Sequence, residues 1–302
     1  MVTIGSAVLD IFMKSDKFKV VQSGDIPGGI AMCEVYGGKM EVGEVKIVSG
    51  GGATNTAVSF AKKDLKTATI AEMGNDPQSL LIQKELEEAQ VDTRFLVQEQ
   101  GETTAVSVVL IADDGGRSIM VHRGAAEMLT KTDLPFESLE TRWIHISSLG
   151  GNMELLKTLL HWAKSKQIRV SLNPGMKEIQ HQEKLLSLLN FVEILFLNKN
   201  EAEALWGIDD KNHGAYVSVI TDGERGGKVS VGGKVSAFEG IKVRKVMDTT
   251  GAGDAFASGM VAGVLYGKTI EQAVKWGVKN ATHVLQYIGA KKGLLTLSEI
   301  NR

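Results

Sequence analysis

The chain has 302 residues, of which 43% are hydrophobic and only 6% aromatic, with 34 glycines; this suffices for one large domain, or a domain with a small appendage. A formal net charge of -2 offers no basic field, so no nucleic-acid partner is expected and a wholesale polyanion-binding role is disfavoured. The single cysteine, Cys33, rules out an internal disulfide framework and a thiolate metal cluster, and a reducing compartment, the cytoplasm, is expected.

Residues 1–13 alternate like a strand and lack the basic start and cleavage site of a secretion signal. No apolar run approaches the roughly 20 residues of a membrane helix, so no membrane partner is expected. Residues 1–10 read as one buried strand that ends in a small-residue turn and an acid. Asp10 then sits at a strand's carboxyl end, where open α/β sheets gather ligands, unless it is a solvated loop acid. Segments 30–36 and 39–48, joined by Gly37-Gly38, predict a hairpin, and a second spans 104–112 and 117–123 across Asp113-Asp114-Gly115-Gly116. Both interrupt a strand-helix alternation, so they read as a small β lid over about 13–48 and 104–123, or else as an edge of the main sheet. Between them, Gly50-Gly51-Gly52-Ala53-Thr54-Asn55-Thr56-Ala57 opens a helix. Composition alone favours a plain turn there. Asn55, on the first helical turn, can nevertheless both donate and accept hydrogen bonds, as vicinal hydroxyls require.

From Trp143 the alternation is regular. Strands at 144–147, Arg169–Leu172, 194–197 and 217–220 alternate with helices at 154–166, at 183–189 and through Ala204 and Leu205, the pattern of βαβ units and a mostly parallel sheet. Strand 194–197 runs into Asn198-Lys199-Asn200-Glu201, where a first-turn acid suits the helix dipole. Strand 217–220 ends in Thr221-Asp222-Gly223-Glu224-Arg225-Gly226-Gly227, whose hydroxyl and glycine backbone suit phosphates and ribose, though a hairpin turn into 229–231 fits equally. Next comes Asp248-Thr249-Thr250-Gly251-Ala252-Gly253-Asp254-Ala255-Phe256, with apolar residues following at helical spacing. The unpaired N–H groups of Gly251, Ala252 and Gly253 form an anion hole at that helix mouth, and small side chains let a phosphate approach. A carboxylate in the same turn repels phosphate but serves as a general base, so Asp254 reads as a proton acceptor. The alternative is a capped helix with glycines for a tight turn. A second apolar-periodic helix covers 270–287.

Other motifs fail. Gly267-Lys268-Thr269 is no P-loop, because Ala262 stands where a glycine is required and the segment follows a helix. No Gly-x-Gly-x-x-Gly follows the first strand, which counts against a dinucleotide dehydrogenase. The 6 histidines show no paired zinc spacing.

The string from Asp248 to Phe256 is much more specific than a lone Gly-x-Gly, and it resembles the signature of the ribokinase family, the PfkB-type sugar and nucleoside kinases. The resemblance runs from Asp10 to Gly293 with the motifs in family order. It implies a three-layer α/β/α, Rossmann-like domain spanning 1–302, with a β lid that closes over the sugar and often provides a homodimer face. It implies ATP-dependent phosphorylation of a sugar-like alcohol, with Asp254 as catalytic base and Gly251, Ala252 and Gly253 as the anion hole. Asp10 matches an aspartate that holds substrate hydroxyls. Gly50-Gly51-x-x-x-Asn55-x-Ala57 resembles the first family signature, so Gly51 and Asn55 would contact substrate. Met73-Gly74-Asn75-Asp76 resembles a glycine-acid turn. Asn198-x-x-Glu201 resembles the pair that orders magnesium through water, and magnesium needs few carboxylates beside a polyphosphate. Thr221-x-Gly223-x-x-Gly226 resembles the nucleotide loop, and Asn280 is the candidate in the adenine pocket. Asp248, the Thr250 carbonyl and backbone near Gly289 and Gly293 resemble a monovalent-cation site of the potassium type. A pentose or hexose is the first expected substrate and a nucleoside the second; a catalytically idle ligand sensor is the alternative of another class.

Overall fold

A computed structural model describes residues 1–26, 28–114, 116–207 and 214–302. Pro27 of the expected lid, Gly115 of the second hairpin turn and His213 of the histidine set lie outside the described residues. The first half of the chain holds β1 (Val2–Ile4), β2 (Val8–Lys14), β3 (Lys19–Gln22), β4 (Ile30–Cys33), β5 (Glu44–Gly50) and α1 (Gly52–Ala61). It continues through β6 (Ala68–Ile70), β7 (Glu72–Gly74), α2 (Pro77–Glu88), β8 (Val97–Glu99), β9 (Ala105–Ile111) and β10 (Arg117–His122). Then follow β11 (Trp143–Ile146), α3 (Met153–Ser165), β12 (Arg169–Leu172), α4 (Met176–Ile179), α5 (Gln182–Leu188), β13 (Ile194–Asn198) and α6 (Lys199–Trp206). The chain ends with β14 (Val217–Thr221), β15 (Gly227–Val231), β16 (Lys234–Phe238), α7 (Ala252–Leu265), α8 (Ile270–Val284) and α9 (Leu297–Ile300).

The 8-stranded main sheet has the order β16-β15-β14-β13-β12-β11-β1-β6. It is parallel from β6 to β14, and β15 and β16 add an antiparallel edge. Its central strands are buried on both faces, which is why they read as unbroken apolar runs. In β13, Leu195 and Leu197 pack into one core with the α3 leucines, whereas Ile194 and Phe196 point to the other core, built from α7 and α8. Helices α7 and α8 lie close because small residues face each other: a Cβ on Gly259 would stand 2.9 Å from the Trp276 carbonyl oxygen. These layers match the predicted three-layer α/β/α architecture.

A separate 4-stranded sheet, β10-β9-β2-β5, takes up parts of the segments expected to form the lid and adds residues 8–12 to them; it is the lid sheet of this fold. Two expectations change here. Residues 1–10 do not make one strand: the chain leaves the main sheet after Ile4 and enters the lid at Val8, so Asp10 lies within lid strand β2 and pairs with Val48 and Ser107. Both halves are apolar and β-prone, and periodicity cannot register a change of sheet. The hairpin around Gly37-Gly38 does not form either. Strand β4 pairs with β3, while β5 runs antiparallel to β2 along its whole length, and Gly37-Gly38 serves only a local turn closed by Gly38 N–H to the Val35 carbonyl. The second predicted hairpin is present as β9 and β10. Among the described residues no helix is long and apolar enough to cross a membrane.

Candidate active site

The mouth of α7 is shaped by residues that tolerate little else. Gly251 is the N-cap with φ 73°, and a Cβ there would overlap Ala290. The turn before it is fixed by Asp248, whose Oδ1 accepts from Thr250 N–H (3.0 Å) and Thr250 Oγ1 (2.7 Å), while Oδ2 accepts from Gly289 N–H (3.0 Å). Of the three amides expected to form an anion hole, that of Ala252 already donates to the Thr249 carbonyl at 3.3 Å. Those of Gly251 and Gly253 have no acceptor among the described residues. Gly253 is exposed, with nothing within 4 Å of where a Cβ would stand.

One turn inward, Asp254 meets α1. Its Oδ2 accepts from Asn55 Nδ2 at 2.8 Å, so two helix mouths 199 residues apart in sequence share one carboxylate. Burial raises its carboxyl to about 6, against the Asn55 hydrogen bond and the nearby Lys291 charge, which lower it. A carboxylate so poised is ionised at neutral pH yet basic enough to take a proton. Asn55 Oδ1 and Ser147 Oγ are buried without a partner among the described residues. Unpaired acceptors and hydroxyls of this kind are costly unless a ligand completes them. Asp10, 7% exposed, is likewise raised to about 6 by burial, against the Ser107 hydrogen bond and Lys291. Its side chain presses against Gly50, where any Cβ would clash with it. Gly51 caps α1 at φ 96°, and a Cβ there would strike the Ser6 backbone.

On the other side of the α7 mouth lies a cleft of about 370 Å³, within the range of small-ligand sites. Its polar end holds Thr221, Gly223 and Gly226 together with Ala252 and Gly253. Its apolar walls come from α8 and its C-cap (Val278, Ala281, Leu285) and the approach to α7 (Ile241, Val243, Val246). The predicted glycine loop and two of the three predicted anion-hole residues, Ala252 and Gly253, therefore line one cavity.

The described geometry is matched by known proteins. The pfkB family carbohydrate kinase description fits residues 1–297. The chain belongs to that family. A cytidine kinase of Thermococcus kodakarensis is 31% identical over 253 residues, covering 80% of this chain and 88% of that one. A probable sugar kinase from Rhizobium etli superposes with a TM-score of 0.81 at 23% identity, over 99% of this chain and 96% of that one. A ribokinase from Cryptococcus neoformans, solved in complex with ADP, gives 0.77 at 21% identity, over 99% and 98% of the two chains. The fold is ribokinase-like, and the chain is a sugar or nucleoside kinase of the pfkB family, a phosphotransferase.

Not every residue singled out in this pfkB chain lies at the cleft. Asn198 and Glu201 form a reciprocal cap on α6: Asn198 Oδ1 accepts from Glu201 N–H (2.9 Å), and Glu201 Oε2 accepts from Asn198 N–H (2.8 Å). Asn198 pairs with Thr221 across the β13–β14 ladder, at the carboxyl end of the sheet. Neither lines the cleft; Glu201 Oε1 has no hydrogen-bond partner among the described residues, which leaves that oxygen for a water of a magnesium ion, against the burial that raises this carboxyl and opposes its charged form. Asn280 is fully buried and spends its amide inside: Nδ2 donates to the Ala255 carbonyl (2.7 Å) and Ser59 Oγ (3.2 Å), and Oδ1 accepts from Leu295 N–H (3.0 Å) and Lys63 Nζ (3.3 Å). It pins α7 and α8 to α1, and its neighbours Val278 and Ala281 form the wall instead. Asp76 caps α2 and anchors Thr104 through both carboxyl oxygens.

The expected cation site does not fit a free ion. Asp248 Oδ1 accepts, besides Thr250, Arg117 Nη1 at 2.7 Å, and Arg117 Nη2 also donates to Thr249 Oγ1. A guanidinium already occupies the carboxylate that a monovalent cation would need. Sequence reasoning missed Arg117, and it missed Lys291. Lys291 Nζ, 7% exposed, donates to Ser49 Oγ and lies 3.6 Å from Glu85, with Asp10 and Asp254 close enough to raise its pKa; burial nevertheless lowers it to about 8. Beside Lys292, it reads in sequence as a solvated charge.

Proposed function

We propose that this kinase moves the γ-phosphoryl group of ATP to a hydroxyl of a pentose-like substrate. Asp254 takes the hydroxyl proton, and the oxygen so freed bonds to the γ-phosphorus. The bond from phosphorus to the β,γ-bridging oxygen breaks, and ADP leaves. The amides of Gly251 and Gly253 hold charge on the transferring group, with Ala252 contributing small size. Asp10 and Asn55 orient the substrate hydroxyls beneath the lid, with Gly51 leaving room for them. Thr221, Gly223 and Gly226 carry the ATP phosphates and ribose, and the apolar walls of the cleft take the base. Magnesium, held by Glu201 through water beside Asn198, would neutralise phosphate charge when bound. Chemistry of this kind asks mainly for positioning and electrostatic stabilisation.

The observation that carries the reading is the shared helix mouth: Asp254, bonded to Asn55 on the lid side, is the next residue after Gly253, which lines the cleft. The test is a phosphorylation screen of sugars and nucleosides with magnesium and ATP, followed by Asp254→Asn on the best substrate. A general base contributes about 10²–10⁴-fold, so turnover should drop by that range while ATP still binds. A variant that keeps most of its turnover removes Asp254 from the role. Thermal shifts with these ligands and no turnover would favour the idle sensor.

The 31% identity to a cytidine kinase favours a nucleoside as bearer of the pentose, and the screen separates it from a free sugar. A homodimer through the lid is part of the proposal. Ile47 of β5 and Met120 of β10, 54% and 55% exposed, share one face of the sheet with the half-buried Ile11 and Val108, an apolar surface suited to a second copy. Sedimentation equilibrium tests it: a monomer at all concentrations rejects the dimer.

A further inference from the structure

The Asp248 carboxylate is a junction of three parts of the molecule. Its side chain is 3% exposed, and a buried carboxylate needs a counter-charge. Thr250 belongs to the turn that enters α7, Gly289 to the loop after α8, and Arg117 to the first position of lid strand β10, 131 residues away in sequence. Oδ1 already accepts from three donors, which saturates that oxygen. The guanidinium is fork-shaped, and its second nitrogen reaches Thr249 Oγ1, so one side chain grips adjacent residues of the turn. A free cation at the same carboxylate would lie against a fixed positive charge.

We propose that Arg117 supplies from within the chain the positive charge that the Asp248 turn requires, in place of a monovalent cation, and thereby fastens the lid to the anion-hole turn. Arg117 is thus a positioning residue: it acts on the transferring phosphoryl group through Thr249, Thr250 and the Gly251 amide. The inference rests on the kinase reading for its catalytic consequence, but the binding of a cation is readable without turnover.

The experiment compares potassium, sodium and choline chlorides at equal ionic strength, with thermal unfolding and steady-state kinetics read in parallel. The wild-type protein should show the same melting temperature and turnover in all three salts. Arg117→Ala should melt lower and turn over at least about tenfold more slowly, since displacing a reacting group by ~1 Å costs up to ~10²-fold. Potassium should raise both values in that variant, because it vacates the carboxylate. Arg117→Lys keeps a charge and should remain blind to potassium. A wild-type protein stabilised or activated by potassium overturns the proposal, as does an Arg117→Ala protein that is weakened yet indifferent to potassium. If Arg117→Ala does not fold, the wild-type and Arg117→Lys comparisons still decide. If no substrate is ever phosphorylated, the kinase reading fails, and the melting curves alone judge the charge replacement.

Discussion

Replacing Gly253 by alanine separates a structural role from a catalytic one at the α7 mouth. Gly253 is in the first turn of the helix with ordinary negative φ, and nothing stands within 4 Å of the added methyl. Helix propensity then favours alanine by up to about 1 kcal/mol. For a chain of this size that raises the melting temperature by roughly 2–3 °C. The open space is, however, where the proposal puts the transferring phosphoryl group. A methyl there pushes that group off the Gly251 and Gly253 amides, and losing one such donor costs ~10²–10³-fold in turnover. Gly253→Ala should therefore melt at the same or a higher temperature while kcat/KM falls about a hundredfold, measured by differential scanning fluorimetry and a coupled ADP assay. Gly251→Ala is the contrast: its methyl would overlap Ala290 at a φ of 73°, so stability and activity should fall together. A Gly253→Ala protein with a raised melting temperature and undiminished turnover refutes the anion-hole reasoning.

The pH dependence carries two further expectations. Burial raises Asp254 and Asp10 to about 6, and both are needed ionised, so kcat/KM should fall between one and two decades per pH unit below about 6; a profile flat down to about pH 5 contradicts this. Lys291 lowers the pKa of both carboxyls, so Lys291→Met should move the acid limb to higher pH. An unmoved limb in a folded variant would mean that Lys291 does not sense the site.

What could be read in the sequence was what neighbours along the chain decide. The α/β alternation from Trp143 to Thr221 is local: strands buried on both faces are apolar throughout, and α6 opens with a first-turn acid, Glu201, that suits the helix dipole. The mouths at Gly51 and Gly251 are local too, because positive φ and close backbone approach demand glycine. Tertiary structure alone decided which sheet a strand joins, so that residues 1–10 divide between main sheet and lid and β5 finds β2 instead of a hairpin partner. It also decided which polar groups are spent inside: Asn280 between helices, Arg117 on Asp248, and Lys291 on Ser49, 242 residues away. Charge pairing and burial at such separations depend on how the layers close over one another, and no periodicity or spacing along the chain records that closure.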